Sequence, residues 1–409
     1  MMAPAIRYEA ARALLDAAFD QMAKIVVVPA ETAAGMVAAE TVKSPLNLPE
    51  TTNAAVDGYA VKSAILQANP DHPFTIIGEA KAGHPFTGKI GDFDALRIFT
   101  GAILPDEFDA VMMQEFCHVT DEKVVFSKAM TAGKNARPAG ENLALDEEII
   151  AKGTIIAPSH LAQLAAAGLT DIAVMQPLRI AIISTGDELV EAGVSAGEKA
   201  FGQIYDSNRP LLQSLVHQAG HQPIDYGIVP DDKAHLSATL AEAVRDCDMV
   251  ITSGGAADGD EDHSLAALQA NKADILFRQV AIKPGRPVCG AKINNKPVIC
   301  LPGNPVAVYV CFLLFIAPVM QKLASGVFPL LRTIILPADI SHKKAENERA
   351  EFVRVKLALT NQGETVIVPH GRKGAGVLSS LTGADGLAEL PFEAGEITPN
   401  MKLSFIPFR

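Results

Sequence analysis

The chain has 409 residues, 49% of them hydrophobic and 20% charged, and a formal net charge of −12. That length exceeds what one core supports and implies about two to four domains. The composition excludes a disordered chain, and the acidic balance excludes general nucleic-acid binding, which needs a basic surface. An anionic ligand must therefore be held by a local cluster of Lys, Arg and backbone N–H groups.

Residues 6–24 have helical spacing, with Ile6, Ala10, Ala13, Leu14, Ala17 and Ala18 on one side. This N-terminus lacks the continuous apolar core of a signal peptide. A proline-punctuated extended segment, 43–49, leads to Asn53-Ala54-Ala55-Val56-Asp57-Gly58-Tyr59-Ala60. Strand patterns at 74–78, 95–100, 109–114 and 123–127 predict a β-rich domain without a helix. Two of its turns, around Thr100-Gly101 and around Arg137-Pro138-Ala139-Gly140-Glu141-Asn142, are unusually polar. Residues 148–175 carry two short strands around a helix at 159–167 stopped by Gly168, which suits a connector.

From Pro177 strands and helices alternate: strand 179–184, helix 208–219 with Asn208 as N-cap and Gly220 as stop, strand 224–229, helix 232–245 and strand 249–252. Further strands are expected at 275–282 and 297–301, and Pro305 opens a helix. The alternation predicts a parallel sheet covered on both faces. The apolar run 306–320 falls short of the roughly 20 residues that span a bilayer, so it reads as a buried core helix and no membrane partner is expected. After residue 325 the chain turns all-β, with strands at 332–336, 351–359, 364–368 and 402–406. Cys117, Cys247, Cys289, Cys300 and Cys311 show no CxxC spacing and read as reduced thiols of a cytoplasmic protein.

In a parallel α/β sheet, ligands bind beyond the carboxyl ends of the strands. Three loops belong there: Ser184-Thr185-Gly186-Asp187-Glu188, Ser253-Gly254-Gly255 and Leu301-Pro302-Gly303-Asn304-Pro305. The last runs into a helix N-terminus, whose free N–H groups favour an anion. Lys283-Pro284-Gly285-Arg286 supplies fixed positive charge after another strand. Asp258, Asp260, Glu261 and Asp262 form an acidic loop that either holds Mg²⁺ or is a solvated turn. Together these features point to a phosphorylated ligand. Asp57 and Thr100 lie in turns, where an acid or hydroxyl often does no more than cap the backbone.

Several stretches resemble one family. NAAVDGYA (53–60), RIFTGAILPDEFDAVMMQE (97–115), STGDEL (184–189), GQIYDSNRPLL (202–212), TSGG (252–255), AIKPGRP (281–287) and LPGNPVA (301–307) are similar to MoeA-type molybdopterin molybdenumtransferases and to the E domain of gephyrin. GAGVLSSL (374–381) and ADGLAELP (384–391) extend the likeness, which runs from about residue 6 to 409. The resemblance implies four parts. An α/β molybdopterin-binding domain takes 1–26 and 178–326, an extended connector 27–45 and 147–177, a β-rich domain 46–146, and a C-terminal β-barrel 327–409.

It also implies a function: molybdate is inserted into adenylyl-molybdopterin and AMP is released, with Mg²⁺ assistance. Asp57, Thr100, Glu188, Asp231 and Asp262 match catalytic positions, with Asp57 and Asp262 as the metal ligands. Ser253, Gly254, Gly255, Lys283, Arg286, Pro302, Gly303, Asn304, Pro305 and Ser379 or Ser380 match ligand-binding ones. The family implies a cytoplasmic homodimer in which the β-rich domain of one chain completes the other chain's site. An upstream adenylyltransferase and recipient molybdoenzymes are the further partners implied.

The alternative is a non-catalytic molybdopterin carrier or scaffold of the same fold. Departures favour it: Asn142 replaces an aspartate, Ala257 and Ala307 replace hydroxyl residues, Asp258 is an added acid, and Gln279 stands where some members have lysine. An adenylyltransferase or pyrophosphatase built on the same α/β domain fits less well, because it needs neither flanking β domain.

Overall fold

A computed structural model describes residues 5–255, 263–343, 349–393 and 395–408. The chain divides into two compact units. One comprises Met1–Val26, Gly35–Ala39 and Val174–Arg409; the other comprises Val27–Ala34 and Glu40–Ala173.

The smaller unit is built on a six-stranded sheet. Its order is Ala110–Met113, Gly58–Val61, Asp94–Ile98, Phe74–Ala80, Lys123–Phe126 and Cys117–Thr120. The central strand Gly58–Val61 is buried at every position. Tyr59, Val61, Phe74 and Met112 belong to one core cluster and Ala60, Leu96, Ile98 and Phe108 to another. Burial on both faces explains strands that read as unbroken apolar runs rather than alternating ones. Gly58 is required here, since a Cβ would stand 1.8 Å from the Met112 carbonyl oxygen.

This unit also contains a helix the sequence did not signal, Ser63–Ala68. Six residues are too few for a periodic pattern. The helix is started instead by Asp109, which accepts from Ser63 N at 2.7 Å and from Ser63 Oγ at 2.8 Å. The connecting strands of the unit, Val42–Lys43 and Glu148–Ile150, pair antiparallel, and helix Pro158–Ala166 follows them.

In the larger unit an α/β sheet has the order Gln222–Val229, Arg179–Thr185, Met249–Ser253, Lys296–Leu301, Cys289–Ile293 and Asp274–Phe277. The first four strands are parallel, but Cys289–Ile293 runs antiparallel to both neighbours, so the sheet is mixed rather than purely parallel. A two-residue hairpin makes the reversal: Asn294 and Asn295 take φ of 51° and 63°, values that asparagine tolerates in a tight turn.

The strand expected over 275–282 is two pieces. Asp274–Phe277 stays in this sheet, whereas Ile282–Lys283 pairs in parallel with Ala350 and Glu351 of the C-terminal sheet. That second sheet closes on itself. Ala350–Leu359, Thr365–Pro369, Ile334–Ala338, Met401–Pro407 and Gly386–Leu390 form a five-stranded barrel, the last pairing back onto the first. Val355, Ile367, Leu403 and Phe405 are in its core.

The apolar run after Pro305 forms a continuous 21-residue helix, Pro305–Ser325, long and apolar enough to cross a membrane. Length therefore does not decide the matter. Burial does: 72% of its apolar window lies inside the protein. Phe312–Ile316 is a π-helical turn immediately before Ala317-Pro318. Proline lacks an N–H for the carbonyl four residues back, that of Leu314, and its ring crowds it. Arg12 supplies the donor instead, with Nη1 2.6 Å from Leu314 O and Nη2 2.7 Å from Pro329 O.

Candidate active site

In the smaller unit, register places Asp57 against Thr100. Gly58 lies opposite Ile98 across the antiparallel pair, so the residue before Gly58 meets the turn just beyond Ile98. Asp57 Oδ1 accepts from Thr100 N at 2.8 Å and from Thr100 Oγ1 at 2.9 Å. These two bonds, backbone first, hold the Asp57 carboxyl below its ordinary pKa, with a smaller contribution from Arg97. Arg97 itself is pinned: it donates to Gly58 O at 3.2 Å and Gln114 Oε1 at 2.7 Å and lies over the Tyr59 and Phe99 rings. The result is an exposed, ionised carboxylate fixed in place. In the polar turn around Arg137, that side chain pairs with Glu141 at 2.6 Å, and the Asn142 backbone donates to Leu48 O.

In the larger unit, the loops expected at the carboxyl edge of the α/β sheet are there. Ser184 and Ser253 are register partners at the ends of adjacent strands, and Ser253 is level with Leu301 on the next. Thr185 Oγ1 donates to Asp231 Oδ1 at 3.2 Å, and Asp231 N donates to Asp187 Oδ1 at 3.1 Å. Gly254 has φ +98°, and a Cβ on it would lie 2.0 Å from Thr185 O, so only glycine lets these loops touch. A Cβ on Gly255 would lie 2.9 Å from Ser264 Oγ. A Cβ on Gly186 would meet the Glu188 carboxylate at 2.7 Å. Glu188, Gly303 and Asn304 are exposed, and Pro302 is buried. Asp262 and Asp258 lie outside the described residues.

Two sequence expectations change here. Asn208 is not an N-cap: Ser207 holds that position, and the Asn208 side chain turns inward to donate to Ser253 Oγ and Gly303 O. The helix end at Pro305 also offers fewer free donors than expected. Pro305 has no N–H, and the Val306 N–H is already bonded to Ala375 O at 3.1 Å.

Lys283 lies within a strand that pairs with the barrel, not with the α/β sheet, and it lines a cavity of about 210 Å³ on the barrel side. The same cavity is lined by Glu351, Arg354, His370, Arg372 and Lys373. Lys283 is held 3.5 Å from Glu351, a 5%-exposed carboxylate that also meets His342 Nε2 at 3.2 Å. Arg354 donates from Nε to Ser380 Oγ at 3.0 Å and from Nη2 to Gly374 O at 2.9 Å. Burial pulls the Arg354 pKa down. His370 is also pulled down, by burial first and then by Lys356, Arg372 and Arg354, so it is mostly neutral at neutral pH.

Ser380 is fully buried behind Arg354, and its hydroxyl donates to Val377 O at 2.6 Å. Ser379 accepts from Arg372. Both serines therefore orient arginines. Arg286 does not line the cavity, and its Nε is buried without a hydrogen-bond partner among the described residues. Sequence reasoning missed Arg354, His370, Arg372 and Lys373. The signal available was His370-Gly371-Arg372-Lys373-Gly374, three basic residues in a loop between strands.

Comparison with known proteins bears on what this arrangement serves. Residues 6–168 match the MoeA N-terminal region (domain I and II), 181–322 a "probable molybdopterin binding domain", and 339–408 the MoeA C-terminal region (domain IV). The molybdopterin molybdenumtransferase of Haemophilus influenzae is 32% identical over 96% of this chain and 98% of its own. The chain belongs to the MoeA family of molybdopterin molybdenumtransferases. Among other relatives, the molybdopterin molybdenumtransferase of Nostoc sp. is 32% identical over 87% of this chain and 83% of its own. The crystal structure of the molybdopterin biosynthesis MoeA protein from Pyrococcus horikoshii OT3 has 27% sequence identity. It covers 99% of this chain and 100% of its own, with a TM-score of 0.85. The MoeA likeness thus extends over the β-rich unit, the α/β sheet and the closed barrel alike.

Proposed function

We propose that this chain catalyses the metal-insertion step of molybdenum cofactor biosynthesis, placing molybdate into adenylylated molybdopterin and releasing AMP. The observation that carries the reading is the cavity lined by Lys283, Arg354, Arg372 and Lys373, in a chain of net charge −12. An acidic protein that concentrates fixed cations in one cavity is suited to a small dianionic oxyanion. Arg354, braced by Ser380 and Gly374, offers its remaining N–H groups in a fixed plane. Lys283, paired with Glu351, adds a second charge to the same cavity. The glycine loops at 253–255 and 302–305 give a phosphorylated pterin close access to backbone donors.

Magnesium keeps most of its waters and needs only one or two carboxylates plus substrate phosphate. Among the described residues no three His, Cys, Asp or Glu converge to hold a metal. Asp187 and Asp231, joined by one hydrogen bond at the sheet edge, fit the smaller requirement and would hold the ion. Bound there, it would offset phosphate charge. In the family's dimeric arrangement, Asp57 and Thr100 of the partner subunit would complete this site. A carrier or scaffold role explains the departures at Asn142 and Ala307 but leaves the braced arginine without a purpose.

The test is direct. Purified protein supplied with adenylyl-molybdopterin, Mg²⁺ and molybdate should release AMP, and omission of molybdate or addition of a chelator should slow the release. Retention of AMP under all conditions would favour the carrier.

A further inference from the structure

Asn208 belongs to no part of the chemistry described so far, yet it sits where the two glycine loops meet. It opens helix Asn208–Gln218 and is 8% exposed. Its Nδ2 lies 2.8 Å from Ser253 Oγ and 2.7 Å from Gly303 O. The Gly303 carbonyl can only accept, so the atom facing it must be the amide nitrogen, and the rotamer is determined by the contact. One NH₂ group thus joins the end of strand Met249–Ser253 to the loop that precedes helix Pro305–Ser325.

The backbone of Asn208 is anchored from the opposite direction. Asp206 Oδ1 accepts from Asn208 N at 3.1 Å and from Arg209 N at 3.2 Å. Arg209 in turn pairs with Asp206 at 3.3 Å, with Asp225 at 3.0 Å and with Glu191. A side chain locked at its base and bonded at its tip to two different loops sets the distance between them.

We propose that Asn208 is the positioning residue of the site, holding the 253–255 and 302–305 loops at the separation the ligand requires. This rests on the reading of those loops as ligand-binding, but not on the identity of the reaction. Its Nδ2 has two acceptors, so a carboxylate of the same shape would lose the bond to Gly303 O and place two acceptors face to face. A carboxylic acid would regain one donor.

The experiment uses hydrogen exchange on the ligand-free, full-length chain. The Gly254 amide, which donates to Leu301 O at 3.2 Å, reports the loop contact. In Asn208→Asp at about pH 8, protection of Gly254 should fall at least about tenfold, and by more than any fall in global stability accounts for. Lowering the pH to about 5 should restore protection as the buried carboxyl takes up a proton. The parent and Asn208→Ala should show no such recovery, which controls for titration of Asp206. KM for adenylyl-molybdopterin should follow the same pH course in the Asp variant, with kcat less affected.

Parent-like protection in Asn208→Asp at the higher pH, or equal recovery in Asn208→Ala, overturns the proposal. Should the Asp variant not fold at that pH, Asn208→Ser is read instead. Its shorter side chain cannot reach both loops, and parent-like protection there is equally fatal. A parent protein that releases no AMP refutes the proposed function alone, because the exchange data stand without turnover.

Discussion

Replacing Arg354 is the most informative single perturbation of the cavity. Among the described residues its guanidinium donates to Ser380 Oγ at 3.0 Å and to Gly374 O at 2.9 Å. Arg354→Ala removes both and leaves the fully buried Ser380 hydroxyl with its Val377 partner only. Hydrogen bonds from a charged donor contribute about 1.5–3 kcal/mol each in favourable settings, but the site is half solvated, so a loss of about 1–2 kcal/mol in stability is expected. For a bound oxyanion, the loss of one charge-assisted bond of that kind corresponds to about ten- to hundredfold weaker binding. Arg354→Lys separates charge from geometry. A lysine keeps the charge but cannot brace itself on Ser380 and Gly374 while presenting a planar pair of donors. Titration calorimetry with molybdate should therefore rank the proteins parent, Lys variant, Ala variant, with the Lys variant well below the parent. Equal affinity in the parent and Arg354→Lys would show that the fork is unused. Equal affinity in all three would remove Arg354 from the site.

Thr100→Val deletes one of the two donors to Asp57 and should raise the Asp57 pKa toward the ordinary carboxylate value, as followed by carboxyl carbon NMR. The sign follows from linkage: a depressed carboxyl pKa stabilises the fold above its unfolded value, and that stabilisation is lost as pH falls through the folded pKa. The Val variant should therefore show a smaller loss of stability on acidification than the parent. Arg12→Met leaves the Leu314 and Pro329 carbonyls without their donor and should cost about 2–4 kcal/mol in denaturant unfolding; an unchanged midpoint would mean that other groups satisfy them. Mixing Asp57→Ala chains with Lys283→Ala chains should restore part of the AMP release if sites are shared between subunits. Heterodimers that form without rescue would place each site within one chain.

Much of this architecture was legible in advance, and the misses have physical reasons. The repeated strand-then-glycine layout identified the carboxyl edge of the α/β sheet because Gly186, Gly254 and Gly255 occupy places where a Cβ would collide, whereas Gly303 stands in open space. The antiparallel strand Cys289–Ile293 escaped notice although Asn294-Asn295 is a hairpin signal, since the alternation of strands and helices suggested parallel pairing throughout. Ile282–Lys283 continues an apolar run in sequence while changing sheets in space, which periodicity cannot register. Asp57 and Thr100 are 43 positions apart, and only the pairing of Gly58 with Ile98 brings them together. Arg354 read as one polar residue within the strand expected at 351–359. Its importance comes from a loop 20 residues later that folds back to accept its bonds.

The pairing of Ile282–Lys283 with Ala350 and Glu351 has a consequence for how the chain can be cut. By sequence, the α/β domain takes 1–26 and 178–326, and the continuous stretch 178–326 invites expression as a fragment. Such a fragment would carry the lysine on a strand stripped of its neighbour, exposing unpaired backbone groups beside apolar surface, a ready template for association with other chains. It would also lose the Ala375 carbonyl that satisfies the first free amide of the Pro305–Ser325 helix. The barrel is thus the last-made piece of the α/β layer's own framework. During synthesis, the segment around Lys283 must wait for some 70 further residues before its partner strand exists.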